Sequence, residues 1–277
     1  MTYGMQSING SNVLNIDENL KAYVYAGKYA IPDTAKTAVV TFSCVGYPML
    51  FFGVPHNVSA GDPTGSSSIG WTGYIARHGV SLAKLVSSGA NQWTAYLTVA
   101  NPSNSSLGLF LRVFGRLDLN YPSGSGQQFG MQVFNASSQL VFDSNLKMLR
   151  LAANTYDIEV TLSAAVPNGT QGNSACDAII NVPFDMSGKS ICANSRAIIH
   201  WPYQIGSYTQ FDTGLLINQY QILNFESLYW STGSQLHVRR IATSNSEYET
   251  PSSFVIDNST AQTVYSRLAV IDNSLFF

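Results

Sequence analysis

The chain has 277 residues, a net charge of −2 and 11% charged side chains against 12% aromatic ones. That is length for two ordinary cores, and the aromatic content excludes disorder. With Arg239-Arg240 as its only basic doublet the sequence has no nucleic-acid groove, and its longest apolar run, 45–54, is too short and too broken by Gly46, Pro48 and Gly53 to insert in a membrane.

In chain order, the first predicted element is a β-hairpin. Residues 3–8 form a short strand, Asn9-Gly10-Ser11-Asn12 a turn, and the return strand alternates Leu14 and Ile16 on one face before Asp17 ends it. Strand-like runs follow at 22–25, 38–43, 47–54, 70–76, 93–100 and 107–117, separated by turn residues such as Gly61-Asp62-Pro63-Thr64-Gly65. One segment reads as a helix: Ser81 can cap Leu82-Ala83-Lys84-Leu85-Val86 with Gly89 as the stop, although the same residues suit a strand.

Residues 121–128, Tyr-Pro-Ser-Gly-Ser-Gly-Gln-Gln, read as a flexible connector. Directly after it the opening hairpin recurs at an offset of 126. Ten of the nineteen positions 3–21 are identical in 129–147, among them Gly4/Gly130, Gln6/Gln132, Asn9/Asn135, Leu14/Leu140, Asp17/Asp143 and Asn19/Asn145. A repeat of this kind predicts two copies of one folding unit. Further strands are expected at 148–152, 156–164, 176–182, 196–202, 215–224, 227–231, 235–243 and 263–271. The fold expected is all-β: two tandem antiparallel β-sandwich modules from an internal duplication, module 1 over 1–120, a linker at 121–128, and module 2 over 129–277. Module 2 is longer, which leaves room for an extra hairpin or a C-terminal extension. The apolar end, Leu268 to Phe277, is expected to dock on its own domain or on a neighbouring subunit.

No chemistry-bearing constellation emerges, so no catalytic, cofactor-binding or metal-binding residue is assigned. His56, His78, His200 and His237 have no ligand spacing. Asp157 and Glu159 share a strand face, but nothing pairs them with a second carboxylate across a cleft. The start, Met1-Thr2-Tyr3-Gly4, has no export signal, so Cys44, Cys176 and Cys192 are expected as buried free thiols, a Cys176–Cys192 bridge being the alternative. The only binding signal is aromatic. Trp71, Trp93, Trp201 and Tyr203 are candidate ligand-binding rings, because exposed rings stack on sugars and anchor protein interfaces; the competing expectation is that they fill the cores.

The second hairpin, Phe129-Gly130-Met131-Gln132-Val133-Phe134-Asn135-Ala136-Ser137-Ser138-Gln139-Leu140-Val141-Phe142-Asp143-Ser144, resembles a segment of small proteins encoded beside the tail-fibre genes of tailed bacteriophages and prophages. Those read Tyr-Gly-Leu-x-Val-[Tyr/Phe]-Asn-x-x-Gly-x-Leu-x-Phe-Asp-Ser. Val264 to Asp272 is similar to the ends of such proteins. This chain departs from the pattern at Ser138, where Gly is usual, and the first copy ends Ile16-Asp17-Glu18. The resemblance implies a virion protein without enzymatic activity or cofactor, made in the host cytoplasm and placed at the tail tip or baseplate. Its expected partners are other virion proteins and further copies of itself. A receptor- or glycan-binding tail protein for host attachment is the alternative, and a capsid decoration protein a further one.

Overall fold

The computed structural model describes residues 4–9, 12–17, 22–33, 37–57, 79–101, 106–120, 130–135, 137–152, 155–162, 177–193, 199–251 and 262–276. In the first half lie β1 (Gly4–Asn9), β2 (Asn12–Asp17), β3 (Tyr23–Ala30), β4 (Thr37–Ser43), β5 (Met49–Gly53), β6 (Gly79–Gly89), β7 (Gln92–Ala100), β8 (Phe110–Arg116) and the single-turn α1 (Leu117–Asn120). In the second lie β9 (Gln132–Phe134), β10 (Leu140–Asp143), β11 (Tyr156–Leu162), β12 (Asp177–Asn181), β13 (Lys189–Ala193), β14 (Ile199–Thr209), β15 (Leu216–Thr232), β16 (Gln235–Pro251) and β17 (Gln262–Asp272), closed by a 3₁₀ turn, Asn273–Phe276.

The chain is all-β, and its strand ladders are antiparallel. One six-stranded sheet has the order β11-β17-β13-β5-β8-β3; the other has β12-β16-β15-β6-β7-β4, with β14 added on β15. Each half supplies three neighbouring strands to each sheet. The strand order of the first half, β3-β8-β5 and β4-β7-β6, is matched by β11-β17-β13 and β12-β16-β15 in the second. The halves meet where β5 pairs β13 (Phe52 with Ile191) and β6 pairs β15 (Val80 with Tyr229). The expected connector at 121–128 lies outside the described residues, and what holds of the expected fold is its coarser form, antiparallel sheets throughout.

The period-two pattern explains the core. In β4, Ala38, Val40 and Phe42 are buried while Thr37, Val39, Thr41 and Ser43 face out. Leu50 and Phe52 of β5, Leu111 and Val113 of β8, Leu97 of β7, Ile191, Tyr229, Val238 and Val270 join them in one cluster that crosses both sheets and both halves. At about 1.5–3 kcal/mol per fully buried large side chain, this shared cluster is the main source of stability.

The opposite face of the first sheet is also covered. Phe51, Phe114 and Ile271 pack there under Phe276, whose ring lies 5.0 Å from Phe114 and 5.8 Å from Tyr25. The apolar terminus thus docks on its own sheet. Beneath it Arg112 is buried, donating from Nη1 to Ser190 Oγ at 3.1 Å, a bond that again joins the two halves.

The second hairpin folds as its residues predict. Asn135 Oδ1 accepts from the backbone N–H of Ser137 (3.0 Å) and Gln139 (2.9 Å), and Ser138 takes a left-handed φ of 60°. Asp143, buried, accepts from the Asn145 N–H at 2.8 Å and from Gln132 Nε2 at 2.8 Å. A Cβ on Gly130 would run into the Asn145 side chain, which gives a steric reason for the Gly/Asn pair to recur in both copies. The expected alternation of Leu140 and Phe142 is interrupted by a bulge between them, and it is Leu140 that packs on Val24 and Leu117. The exit segment then lies along the edge of β3, with the Tyr25 N–H donating to Lys147 O and the Leu149 N–H to Tyr23 O.

Two sequence expectations are corrected. Residues 82–86 are strand, not helix: β6 is held by ladder bonds to β7, and its bulges at Leu82/Lys84 and Ser87/Gly89 break the alternation that would have marked it. Residues 148–152 form only an isolated bridge from Met148 to Val24, not a strand. The expected strand at 70–76 lies outside the described residues.

Candidate interaction surface on the arm of the second half

β15 and β16 have 17 residues each, about 55 Å at about 3.3 Å per residue. The strands they join in the sheet, β6 with 11 residues and β7 with 9, are far shorter. Residues 216–225 of β15 pair with β14 on one side and with 242–251 of β16 on the other, so the ladder continues as a three-stranded arm beyond the last pairing with β6 at Tyr229. Among the described residues the first half has no counterpart of β14. This arm accounts for much of the extra length of the second half.

Among the described residues β14 pairs on one side only, with β15, and Pro202 lies within it, the kind of strand in which proline is tolerated. Trp201 and Tyr203 occupy alternate positions of β14, opposite Leu223 and Gln221. The strand bulges between Gln204 and Gly206, which re-aims the following residues toward the turn.

The turn at 210–215 closes on itself. The Gln210 N–H donates to Leu215 O and the Gly214 N–H to Gln210 O, each at 2.8 Å, and Thr213 Oγ1 donates to Gln210 Oε1 at 3.1 Å. Gly214 takes a φ of 64°, the left-handed conformation that glycine adopts without cost. With Gln210 and Thr213 engaged on each other, the turn displays apolar side chains. Phe211 is fully exposed, and Tyr208, Leu215 and Leu216 are exposed around it. Single exposed apolar residues are ordinary, but four within nine positions at the end of an arm form a patch that a partner would cover. The sequence marked the β14 rings and passed over the tip, because Phe211 amid Gln, Asp and Thr carries no periodic signal.

The other sequence candidates have different surroundings. Trp93 is half-buried: its Nε1–H donates to Cys44 O at 2.9 Å and Tyr47 meets its ring edge-on at 5.4 Å. These contacts tie it to the core. Trp71 lies outside the described residues. Tyr229 and Trp230 are buried, the latter stacked on His237 at 3.8 Å.

One constellation imitates a catalytic triad. His56 Nδ1 is 3.0 Å from Ser231 Oγ, and His56 Nε2 is 3.5 Å from Asp185 Oδ1. Ser231 is wholly buried, and its hydroxyl also lies 3.4 Å from the Pro55 carbonyl. A nucleophile must be reachable by its substrate, and this hydroxyl is not. The surrounding bonds explain the cluster instead: the Ser231 N–H donates to Pro55 O and the Asn57 N–H to Ser231 O, a parallel bridge that fastens the first half to the second.

Cys44 and Cys192 carry free thiols, and burial pushes the pKa of Cys192 up to about 11, which keeps it protonated and unreactive at neutral pH. Cys176 lies outside the described residues. Among the described residues no three His, Cys, Asp or Glu side chains converge on a metal-sized site, and no helix is long and apolar enough to cross a membrane. Compared with known proteins, the chain matches no family model, no curated protein and no solved structure.

Proposed function

We propose that this protein is a non-enzymatic structural subunit of a tailed-bacteriophage particle, at the tail tip or baseplate. In this reading it is a duplicated pair of β-sandwich modules, 1–120 and 129–277, fused through their inner strands. The phage-like hairpin motif supports the virion assignment, and the matching strand orders of the two halves support the duplication. The observation that carries a role in assembly is the arm, a long ribbon ending in an uncovered apolar tip on a protein otherwise poor in charge. Mass spectrometry of purified particles, with antibody labelling in the electron microscope, tests the assignment. The chain should be a stoichiometric virion protein and the label should fall on the tail end. Label on the head would favour capsid decoration, and absence from particles would reject the proposal.

A second reading, host attachment through a receptor or glycan, is favoured by the positions of Trp201 and Tyr203 on an edge strand of the same arm. Trp and Tyr are the side chains that stack on sugar faces. Binding of the purified protein to host cells, lost in Trp201→Ala or Tyr203→Ala with an unchanged circular dichroism spectrum, would establish it. Equal binding by wild type and variants would remove it.

A further inference from the structure

The turn at the arm tip has a chemical complement elsewhere on the same chain. Within 207–219 the only charged residue is Asp212, beside the fully exposed Phe211. Where the exit of the second hairpin passes the C-terminal 3₁₀ turn, an open cleft of about 270 Å³ is lined by Leu146, Met148 and Leu275, with Lys147 and Arg150 among its walls. Leu275 is exposed, as is neighbouring Leu151. This volume is below the roughly 300–1,000 Å³ of small-molecule pockets and suits one aromatic side chain better than a cofactor.

The charges complement each other. Among the described residues neither Lys147 nor Arg150 has a carboxylate partner, and Asp212 has no cation. An apolar protrusion carrying one negative charge is matched by a recess in which Leu146, Met148 and Leu275 stand among the polar Ser144 and Asn145 and two positive charges. A lipid surface fits the tip less well, since the segment offers no basic residue to meet anionic headgroups and would carry Asp212 toward hydrocarbon.

We propose that the arm tip of one copy docks in this cleft of a second copy, Phe211 entering between Met148 and Leu275 and Asp212 pairing with Lys147 and Arg150. Tip and cleft are different surfaces, so the contact is heterologous. Each copy offers one of each, and repetition gives a closed ring or an open filament according to the rotation per step. The proposal rests on these two surfaces and not on the virion reading, which the particle measurements decide separately.

Sedimentation of the full chain across a concentration series tests it. The wild type should self-associate, more weakly at high salt. Phe211→Ser should weaken association about thirtyfold, as loss of a central aromatic anchor does. Asp212→Lys should weaken it about tenfold, and adding Lys147→Glu with Arg150→Glu should restore it, which a merely unfolded variant would not show. Mixing Phe211→Ser protein, with an intact cleft, and Lys147→Glu/Arg150→Glu protein, with an intact tip, should yield a 1:1 dimer and nothing larger. A monomer at every concentration would overturn the proposal, as would assembly indifferent to Phe211→Ser or charge reversal without rescue.

Discussion

At the end of β17 the Asp272 carboxylate accepts from Lys189 Nζ at 2.8 Å and from the hydroxyl and N–H of Ser274 at 2.7 and 2.9 Å. The Lys189 bond first, then the Ser274 bonds, lower its pKa from the usual 3.8 to about 2. A depressed carboxylate contributes stability above its unfolded pKa and loses it as pH falls through the folded one. The Asp272 side chain is 32% exposed, so solvent screening leaves about 1 kcal/mol of the effect. Asp272→Asn should lower unfolding free energy by about that amount at pH 7, with the difference shrinking between pH 4 and 2 in urea titrations. Ser138 offers the opposite case. It holds a left-handed φ of 60° in the hairpin turn, a conformation that glycine adopts without cost, so Ser138→Gly should raise the melting temperature, with a gain of about 0.5–1 kcal/mol. Both the Asn135 turn and the Asp143 exit were legible in the sequence, because their hydrogen bonds close within a few residues.

Among the elements, β6 shows where local reading fails. Ser81 to Val86 has a helix's cap and composition, yet the segment pairs with β7 along its length and with β15 at Val80. Pairing between residues distant in sequence outweighs a weak helical preference, and two bulges hide the strand period. Gly79, at the start of β6, lies against β15 so closely that an added Cβ would sit 2.7 Å from Leu228 Cβ. Gly79→Ala should therefore prise the halves apart locally and cost about 1–3 kcal/mol, measurable by denaturant unfolding. β13 escaped notice for a different reason: Lys-Ser-Ile-Cys-Ala is five residues long, with a pattern too short to count. In the arm, the sequence pattern divides β15 into two strands near residue 225, and the structure places a bulge at that point between Asn224 and Phe225.

For the molecule as a whole, the shared core predicts cooperative behaviour. Phe52 of the first half meets Tyr229 of the second at 6.1 Å, and Arg112 reaches Ser190 across the same seam. Thermal unfolding should therefore show one transition, with calorimetric and van't Hoff enthalpies equal. Two separated transitions would instead mean that the seam contributes little. Cleavage within 121–128 should leave the fragments associated under native conditions, and residues 1–128 alone should expose apolar surface and aggregate. The sequence by itself determined the strand content, the duplication signal and the hairpin chemistry, since these depend on side-chain period and on bonds between near neighbours. Only the tertiary structure decided that the halves share two sheets, that His56 and Ser231 form a latch, and that an arm carries Phe211 into solvent. Those features depend on which distant strands become neighbours, and on where a ladder outlasts the sheet it began in.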